Sequence, residues 1–244
     1  AKDNIHIFGG SADLGPSNKT MLKGEEYFSA DNRLGRNITF GVRENAMGAI
    51  TNGILLHGGL RTYASTFLVF SDYLKPTIRL AALMNLPNVY IFTHDSIGVG
   101  EDGPTHQPIE HLAMLRSIPG IVVIRPADGR ETAASLNLAF NSKNTPFVLA
   151  LSRQNLPQLE NSSRDIYRGA YIIKKEEGEL EKIVIATGSE VSLALEAAEG
   201  LKGVRVVSMP SMEMFDAQSS DYKEEILPSN ITKRISLEAL SSFG

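Results

Sequence analysis

Short apolar runs alternate with longer amphipathic stretches along most of the chain. The strands are predicted at residues 4–8, 37–42, 60–63, 88–93, 121–125, 146–151, 182–187, 204–210 and 235–238, and the helices at residues 44–56, 67–84, 108–117, 129–142 and 190–201. Buried strands separated by amphipathic helices are typical of a parallel sheet with helices on both faces. The sequence therefore predicts an α/β fold of three layers. A turn is expected at Gly9, Gly10 and Ser11, and the hydroxyl of Ser189 is expected to cap the last helix.

The composition changes near residue 154, where the polar stretch QNLPQLENSSRD (residues 154–165) contains a proline and two serines. Such a stretch is typical of a linker between domains. The alternation of strands and helices then restarts. We expect a first domain at residues 1–155, a linker at residues 156–168 and a partial second α/β domain at residues 169–244.

Charge and composition exclude several classes of function. The formal net charge is −4 and no basic block occurs, whereas nucleic-acid binding needs clustered lysine and arginine. No apolar run approaches the ~20 residues that span a bilayer. Cysteine is absent, so disulfides, thiol nucleophiles and cysteine-bound zinc are excluded. We expect a cytoplasmic protein that binds neither nucleic acid nor membrane.

The segment GVGEDG (residues 98–103) has the spacing of a dinucleotide-binding loop and follows a predicted strand. Two features oppose a nicotinamide site. Glu101 and Asp102 would repel a pyrophosphate, and Pro104 and Pro108 delay the helix whose N-terminus should meet it. A metal cluster is the other alternative, because this stretch is rich in histidine and aspartate, but the spacing of His106 and His111 does not place both on one helical face.

Several blocks along the chain resemble transketolases, thiamine-diphosphate enzymes that move two-carbon ketol units between sugar phosphates. The strongest is THDSIGVGEDGPTHQP (residues 93–108). The others are GSADLGPSN (residues 10–18), FGVRENAMG (40–48), RPADG (125–129), ALSRQNLPQL (150–159) and ATGSEVS (186–192). Because dihydroxyacetone synthases are similar in many of these blocks, a related ketol transferase with another substrate is an alternative.

Glu44 is expected at a junction between a strand and a helix. From its position alone, its carboxylate could simply stabilise the helix dipole. The resemblance instead implies a catalytic glutamate that hydrogen-bonds a ring nitrogen of the aminopyrimidine of thiamine diphosphate and controls its proton. The cofactor then supplies the difficult chemistry and the protein supplies placement.

Phe67, Phe70 and Tyr73 recur at a spacing of three on a predicted helix, which is typical of a core stripe. The resemblance places the three rings around the aminopyrimidine, and a pocket and a core are compatible. It also places Asp13 near the cationic thiazolium side of the cofactor.

The resemblance implies a substrate site for a sugar phosphate. Ser17, His94 and Arg153 match the residues that hold the phosphate, for which a guanidinium is well suited. Asp102 and His106 match residues that contact sugar hydroxyls, and His106 is the candidate for proton transfer at the substrate.

The resemblance further implies Mg²⁺ or Ca²⁺ bound with the diphosphate, and a homodimer whose cofactor site is shared across subunits. The metal and the diphosphate are expected to be held by an N-terminal domain that this chain does not include, so the chain alone is expected to be inactive. A non-catalytic scaffold or dimerisation role is the alternative of a different class.

Overall fold

In the computed structural model, which describes residues 4–164 and 166–242, strands and helices alternate along the chain. The strands are β1 (Ile7–Ser11), β2 (Asn37–Thr39), β3 (Arg61–Phe67), β4 (Val89–Thr93), β5 (Val122–Ile124), β6 (Phe147–Ala150), β7 (Tyr171–Lys174), β8 (Lys182–Ala186), β9 (Val204–Ser208) and β10 (Arg234–Leu237). The helices are α1 (Gly15–Asn18), α2 (Glu44–His57), α3 (Ser71–Leu83), α4 (His111–Arg116), α5 (Gly129–Asn141), α6 (Glu190–Ala197), α7 (Met212–Asp216) and α8 (Ser220–Ile226). None of the helices in these ranges is long and apolar enough to cross a membrane.

The first sheet has six strands in the order β2-β1-β3-β4-β6-β5, and every neighbouring pair is parallel. Successive side chains of a strand point to opposite faces of the sheet. Because all five residues of β4 are buried, both faces of the sheet are covered at this strand. Tyr90 and Phe92 of β4 pack with α2, α3 and α4, whereas Val89 and Ile91 pack with α5. The prediction of a parallel sheet between two helical layers is confirmed.

The second sheet has four strands in the order β10-β8-β9-β7. Strand β7 is antiparallel to β9, and the other pairs are parallel. The sequence pattern did not predict β7. This four-residue antiparallel edge strand is not part of the alternation of strands and helices on which the prediction was based. The pattern also did not predict the short helices α1, α7 and α8.

The predicted turn at Gly9, Gly10 and Ser11 is wrong, because all three residues lie inside β1. Glycine is required there by close backbone packing and not by a turn. A Cβ on Gly9 would lie 2.2 Å from the carbonyl oxygen of Tyr63, and one on Gly10 would lie 1.8 Å from that of Ile38. The strand β1 therefore continues through both glycines to Ser11, where the sequence predicted a turn.

Two predicted helix features are also wrong. The helix predicted at residues 67–84 begins only at Ser71, because Phe67 ends β3 and a 3₁₀ turn at Leu68–Phe70 intervenes. The side chain of Ser189 does not cap α6. Its hydroxyl donates to the Glu190 carboxylate and accepts from Arg125, so it is not available to the first backbone N–H groups.

The segment that joins the two sheets is held against the start of α5. The Asp128 carboxylate caps α5 and accepts from the backbone N–H of Leu159 at 3.1 Å and from the side chain of Gln158. Arg130 donates to backbone carbonyls of the same segment. These contacts fix the part of the predicted linker that they touch.

A buried arginine joins the two sheets. Arg125 follows β5, has no exposed surface, and forms an ion pair with Asp95 at 2.8 Å. Its guanidinium also pairs with Glu190 and donates to the backbone and side-chain oxygens of Thr187 at 3.0 Å. Although burial opposes its charge, the carboxylates of Asp95 and Glu190 raise the pKa of Arg125. The guanidinium is therefore permanently charged and is stable there because carboxylates from both parts of the chain surround it.

Replacing Arg125 by methionine should lower the free energy of unfolding by about 3–5 kcal/mol, because the substitution leaves buried carboxylates without their cation. Urea unfolding followed by circular dichroism measures the change. Arg164→Met is the matched control, since Arg164 is exposed and has no ion pair among the described residues. A loss below about 1 kcal/mol in Arg125→Met would show that the ion pairs do not hold the two sheets together.

Candidate active site

The predicted site residues lie at one edge of the first sheet. Carboxyl ends of parallel strands meet at the same edge, which is where open α/β sheets bind ligands. Asp13 follows β1, Glu44 follows β2, Phe67 ends β3, His94 follows β4 and Arg153 follows β6. The parallel pairing thus gathers residues that are far apart in the sequence.

Glu44 is the first residue of α2 and is 8% exposed. It borders a cavity of about 750 Å³ that is also lined by Asp13, Phe70, Tyr73 and His106. Among the described residues, the Glu44 carboxylate has no hydrogen bond or ion pair. The backbone and stem of Glu44 are buried, whereas its carboxylate oxygens are not among the buried atoms without a partner, so they are available to a donor that enters the cavity.

Contacts between α2 and α3 hold Glu44 opposite the aromatic residues. The side-chain amide of Asn45 donates to the carbonyl of Tyr73 at 3.3 Å, and that of Asn52 donates to the carbonyl of Thr77 at 2.9 Å. Between them, a Cβ on Gly48 would lie 2.2 Å from the Thr77 hydroxyl oxygen. The two helices therefore approach too closely at this point for any side chain larger than hydrogen.

The three predicted aromatic residues stack in a row, although they do not share a helix. The ring centroids of Phe67 and Phe70 are 6.1 Å apart with an interplanar angle of 9°, and those of Phe70 and Tyr73 are 6.2 Å apart. Phe70 and Tyr73 line the cavity, whereas the buried Phe67 does not. Phe67 instead stacks on His94 with a centroid distance of 3.7 Å. Its direct contact with a cofactor stays a prediction.

The residues of this cavity fit an aminopyrimidine. A flat heterocycle suits stacked aromatic walls, and a ring nitrogen that shares a proton with a carboxyl group suits Glu44, which has no partner among the described residues. The fit concerns the pyrimidine end of thiamine diphosphate. Within the described parts of the chain, no group of three or more His, Asp or Glu side chains could hold a metal ion.

A second cavity, of about 430 Å³, is related to the first by ring contacts: His94 lines it and stacks on Phe67, and Phe67 stacks on Phe70 of the first cavity. It is lined by Ser17, His94 and Arg153, the residues predicted to bind phosphate, and also by Lys19. Sequence reasoning missed Lys19, although a cation two positions after a predicted phosphate ligand was a usable signal. Three basic side chains and a hydroxyl suit a phosphorylated ligand.

The glycine loop places His106 at the first cavity, whereas Asp102 lines neither of the two cavities. The half-buried His106 packs edge-on against Phe70 at 5.4 Å between ring centroids, and its Nδ1 lies 2.9 Å from the Thr105 hydroxyl oxygen. Asp102 is exposed and acts electrostatically on His94. The next α-helix, α4, begins only at His111. It therefore does not follow the glycines directly, as the helix of a dinucleotide site does.

Burial lowers the pKa of His94, and the nearby Arg153 lowers it further. The carboxylates of Asp102 and Asp95 oppose this effect but do not cancel it. His94 is therefore predominantly neutral at neutral pH when no anion is bound.

Comparison with known proteins identifies both parts of the chain. Residues 1–158 match the family model of the transketolase pyrimidine binding domain, and residues 169–244 match that of the transketolase-like C-terminal domain. A transketolase of Halalkalibacterium halodurans is 57% identical over 252 residues, which cover 100% of this chain. The chain spans 38% of the length of that relative.

Two solved structures resemble the chain along its whole length. A Pichia stipitis transketolase in complex with sedoheptulose 7-phosphate is 48% identical with a TM-score of 0.93, over 98% of this chain and 37% of that one. A split-gene transketolase, solved as an inactive β4 tetramer, is 27% identical with a TM-score of 0.77, over 100% of this chain and 77% of that one. Together with the two family models, these similarities show that the chain belongs to the transketolase family.

Proposed function

We propose that this chain is part of an enzyme that transfers a two-carbon ketol unit between sugar phosphates with thiamine diphosphate as cofactor. The donor would be a ketose phosphate of the xylulose 5-phosphate type and the acceptor an aldose phosphate of the ribose 5-phosphate type. The observation that carries the proposal is Glu44, a largely buried residue whose carboxylate borders a cavity with stacked aromatic walls and has no partner among the described residues.

Glu44, Phe70, Tyr73 and Asp13 would hold the pyrimidine half of the cofactor, with Phe67 behind them. When bound, thiamine diphosphate supplies a nucleophilic carbon that carries the ketol unit between the two sugars. Glu44 would hold the proton at the pyrimidine ring nitrogen, and its fixed position on α2 keeps that contact in place. The rings of Phe70 and Tyr73 would exclude water from the flat faces of the pyrimidine.

The substrate would lie across the two cavities. Ser17, His94 and Arg153 would bind its phosphate, with Lys19 adding positive charge. His106, which borders the first cavity, would transfer a proton at a sugar hydroxyl near the reacting carbons, and Asp102 would accept a hydrogen bond from another hydroxyl. A dihydroxyacetone synthase-like enzyme would use the same residues with a different acceptor.

The organisation of the complete enzyme is also proposed. Residues 1–155 would form the pyrimidine domain, residues 156–168 a connection and residues 169–244 part of the C-terminal domain. Mg²⁺ or Ca²⁺ and the diphosphate would be held elsewhere in a cytoplasmic homodimer that shares each site between subunits. A non-catalytic or split-subunit role is the second candidate, and the similarity to a split-gene transketolase favours its consideration.

Glu44→Gln in the complete enzyme should reduce kcat for ketol transfer by about 10²–10⁴-fold, because an amide cannot hold the proton as a carboxylate does. Coupled spectrophotometric turnover of xylulose 5-phosphate with ribose 5-phosphate measures it. The unfolding free energy should change little, since the carboxylate has no partner in the described residues that folding would depend on.

Glu199→Gln is the matched control, because Glu199 is exposed beyond the end of α6 and borders neither cavity. Its turnover should equal that of the unaltered enzyme. Activity of Glu44→Gln within about threefold of the unaltered enzyme would remove Glu44 from the proposed catalytic role.

The purified 244-residue chain should show no ketol transfer by itself, because its described residues offer no metal-holding cluster for the diphosphate. The same coupled assay, with excess thiamine diphosphate and Mg²⁺, tests this. Adding the separately expressed N-terminal domain of a relative should restore turnover if the chain is a catalytic partner. Turnover by the chain alone contradicts the prediction, whereas a failure to reconstitute supports the scaffold alternative.

A further inference from the structure

Four buried polar side chains form a continuous chain of hydrogen bonds that ends at His94. The Asn18 amide nitrogen donates to the Ser11 hydroxyl oxygen at 2.7 Å, and the Thr93 hydroxyl donates to the Asn18 amide oxygen at 2.7 Å. The Thr93 oxygen in turn lies 2.9 Å from Nδ1 of His94. All four residues are 5–6% exposed, and Asn18, Thr93 and His94 border the second cavity.

The direction of this chain fixes the position of the His94 proton. A threonine hydroxyl has one proton, and Thr93 gives it to an amide oxygen that can only accept. With the Asn18 amide in this orientation, the Thr93 oxygen accepts from His94, so Nδ1 carries the proton. A neutral imidazole has one N–H, which leaves Nε2 as a bare acceptor. Nε2 has no hydrogen bond within the described part of the chain.

The backbone conformation of His94 and its contact with a neighbouring ring restrict the orientation of the imidazole. The φ angle of His94 is +60°, in the left-handed region that residues other than glycine rarely adopt. Its imidazole lies against the ring of Phe67. The imidazole is thus fixed both at Nδ1 and on one face while it borders the cavity with Ser17, Lys19 and Arg153.

We propose that Thr93 and Asn18 are positioning residues that hold His94 as the Nδ1-protonated tautomer, so that a dianionic phosphate ester binds at Nε2 only with uptake of a proton. The inference rests on the proposed function, since it assumes that this cavity receives the phosphate of the sugar. The proton comes from solvent and goes to Nε2, which then donates to a phosphate oxygen. No covalent bond forms or breaks.

The groups around His94 favour uptake only when the anion is present. Arg153, His106 and burial oppose a positive imidazole, Asp102 and Asp95 favour it, and Lys19 lines the same cavity. Asp95 is already paired with Arg125. A phosphate dianion supplies the missing negative charge and raises the His94 pKa from its lowered value in the free protein. Affinity for the dianion should therefore fall as pH rises between the free and bound pKa, by up to about tenfold per pH unit.

Calorimetric titration of the complete holoenzyme with ribose 5-phosphate alone tests the proposal, because an acceptor without a ketol donor binds without turnover. Titrations in two buffers with different ionisation heats give the number of protons taken up. The titrations are run near pH 7.5, about 1.5 units above the second pKa of a phosphate monoester, where the ligand is mostly dianionic. We expect on the order of one proton per site, and none with unphosphorylated ribose.

Variants attribute the proton to His94 and to its tautomer. Thr93→Ser keeps the hydroxyl and should keep the uptake. Thr93→Val removes the acceptor at Nδ1, which lets the neutral ring carry its proton on Nε2, so uptake should fall and the KM for ribose 5-phosphate should lose its rise with pH. His94→Gln has no titratable ring and should show no uptake, which excludes His106 as its source.

The outcomes separate this inference from the proposed function. Binding of ribose 5-phosphate with no proton uptake by the unaltered enzyme overturns the inference alone, as does equal uptake in Thr93→Val and Thr93→Ser. The absence of uptake would mean that the hydrogen bonds run in the opposite direction, with the proton already on Nε2, whereas equal uptake in the two variants would mean that Thr93 does not set the tautomer. A complete absence of ribose 5-phosphate binding overturns both the proposed substrate site and the inference.

Discussion

The parallel pairing of the first sheet is the constraint on which the site depends. Because β1, β2, β3, β4 and β6 all run in one direction, their carboxyl ends meet at a single edge. The acid, the aromatic rings and the basic residues come from separate segments and meet only there. A sheet with one reversed strand would keep much of its core but would remove a wall of the cavity.

The second sheet contributes to the same edge through a buried network. Arg125 forms an ion pair with Asp95, the residue next to His94. It also forms an ion pair with Glu190 and donates a hydrogen bond to Thr187, both from the C-terminal part of the chain. These contacts hold Asp95 directly beside the histidine that is predicted to bind phosphate. The C-terminal part is thus connected to the site through Arg125, although its residues do not line either of the two cavities at the site.

Periodicity predicted the layers of the fold because buried parallel strands and amphipathic helices differ clearly in pattern. It did not predict the boundary at Phe67, where β3 passes through a 3₁₀ turn into α3, since an aromatic spacing of three fits several backbone paths. The motifs identified Glu44, but not that it would lack a partner, which depends on packing. The hydrogen-bond chain from Ser11 to His94 joins three separate segments and has no local signal in the sequence.

The most direct measurement is a crystal structure of the complete enzyme with thiamine diphosphate bound. The Glu44 carboxylate should lie about 2.6–3.2 Å from a pyrimidine ring nitrogen, with that ring against Phe70 and Tyr73. A pyrimidine bound elsewhere, or a Glu44 side chain turned away from it toward a protein partner, would contradict the proposed role of this cavity.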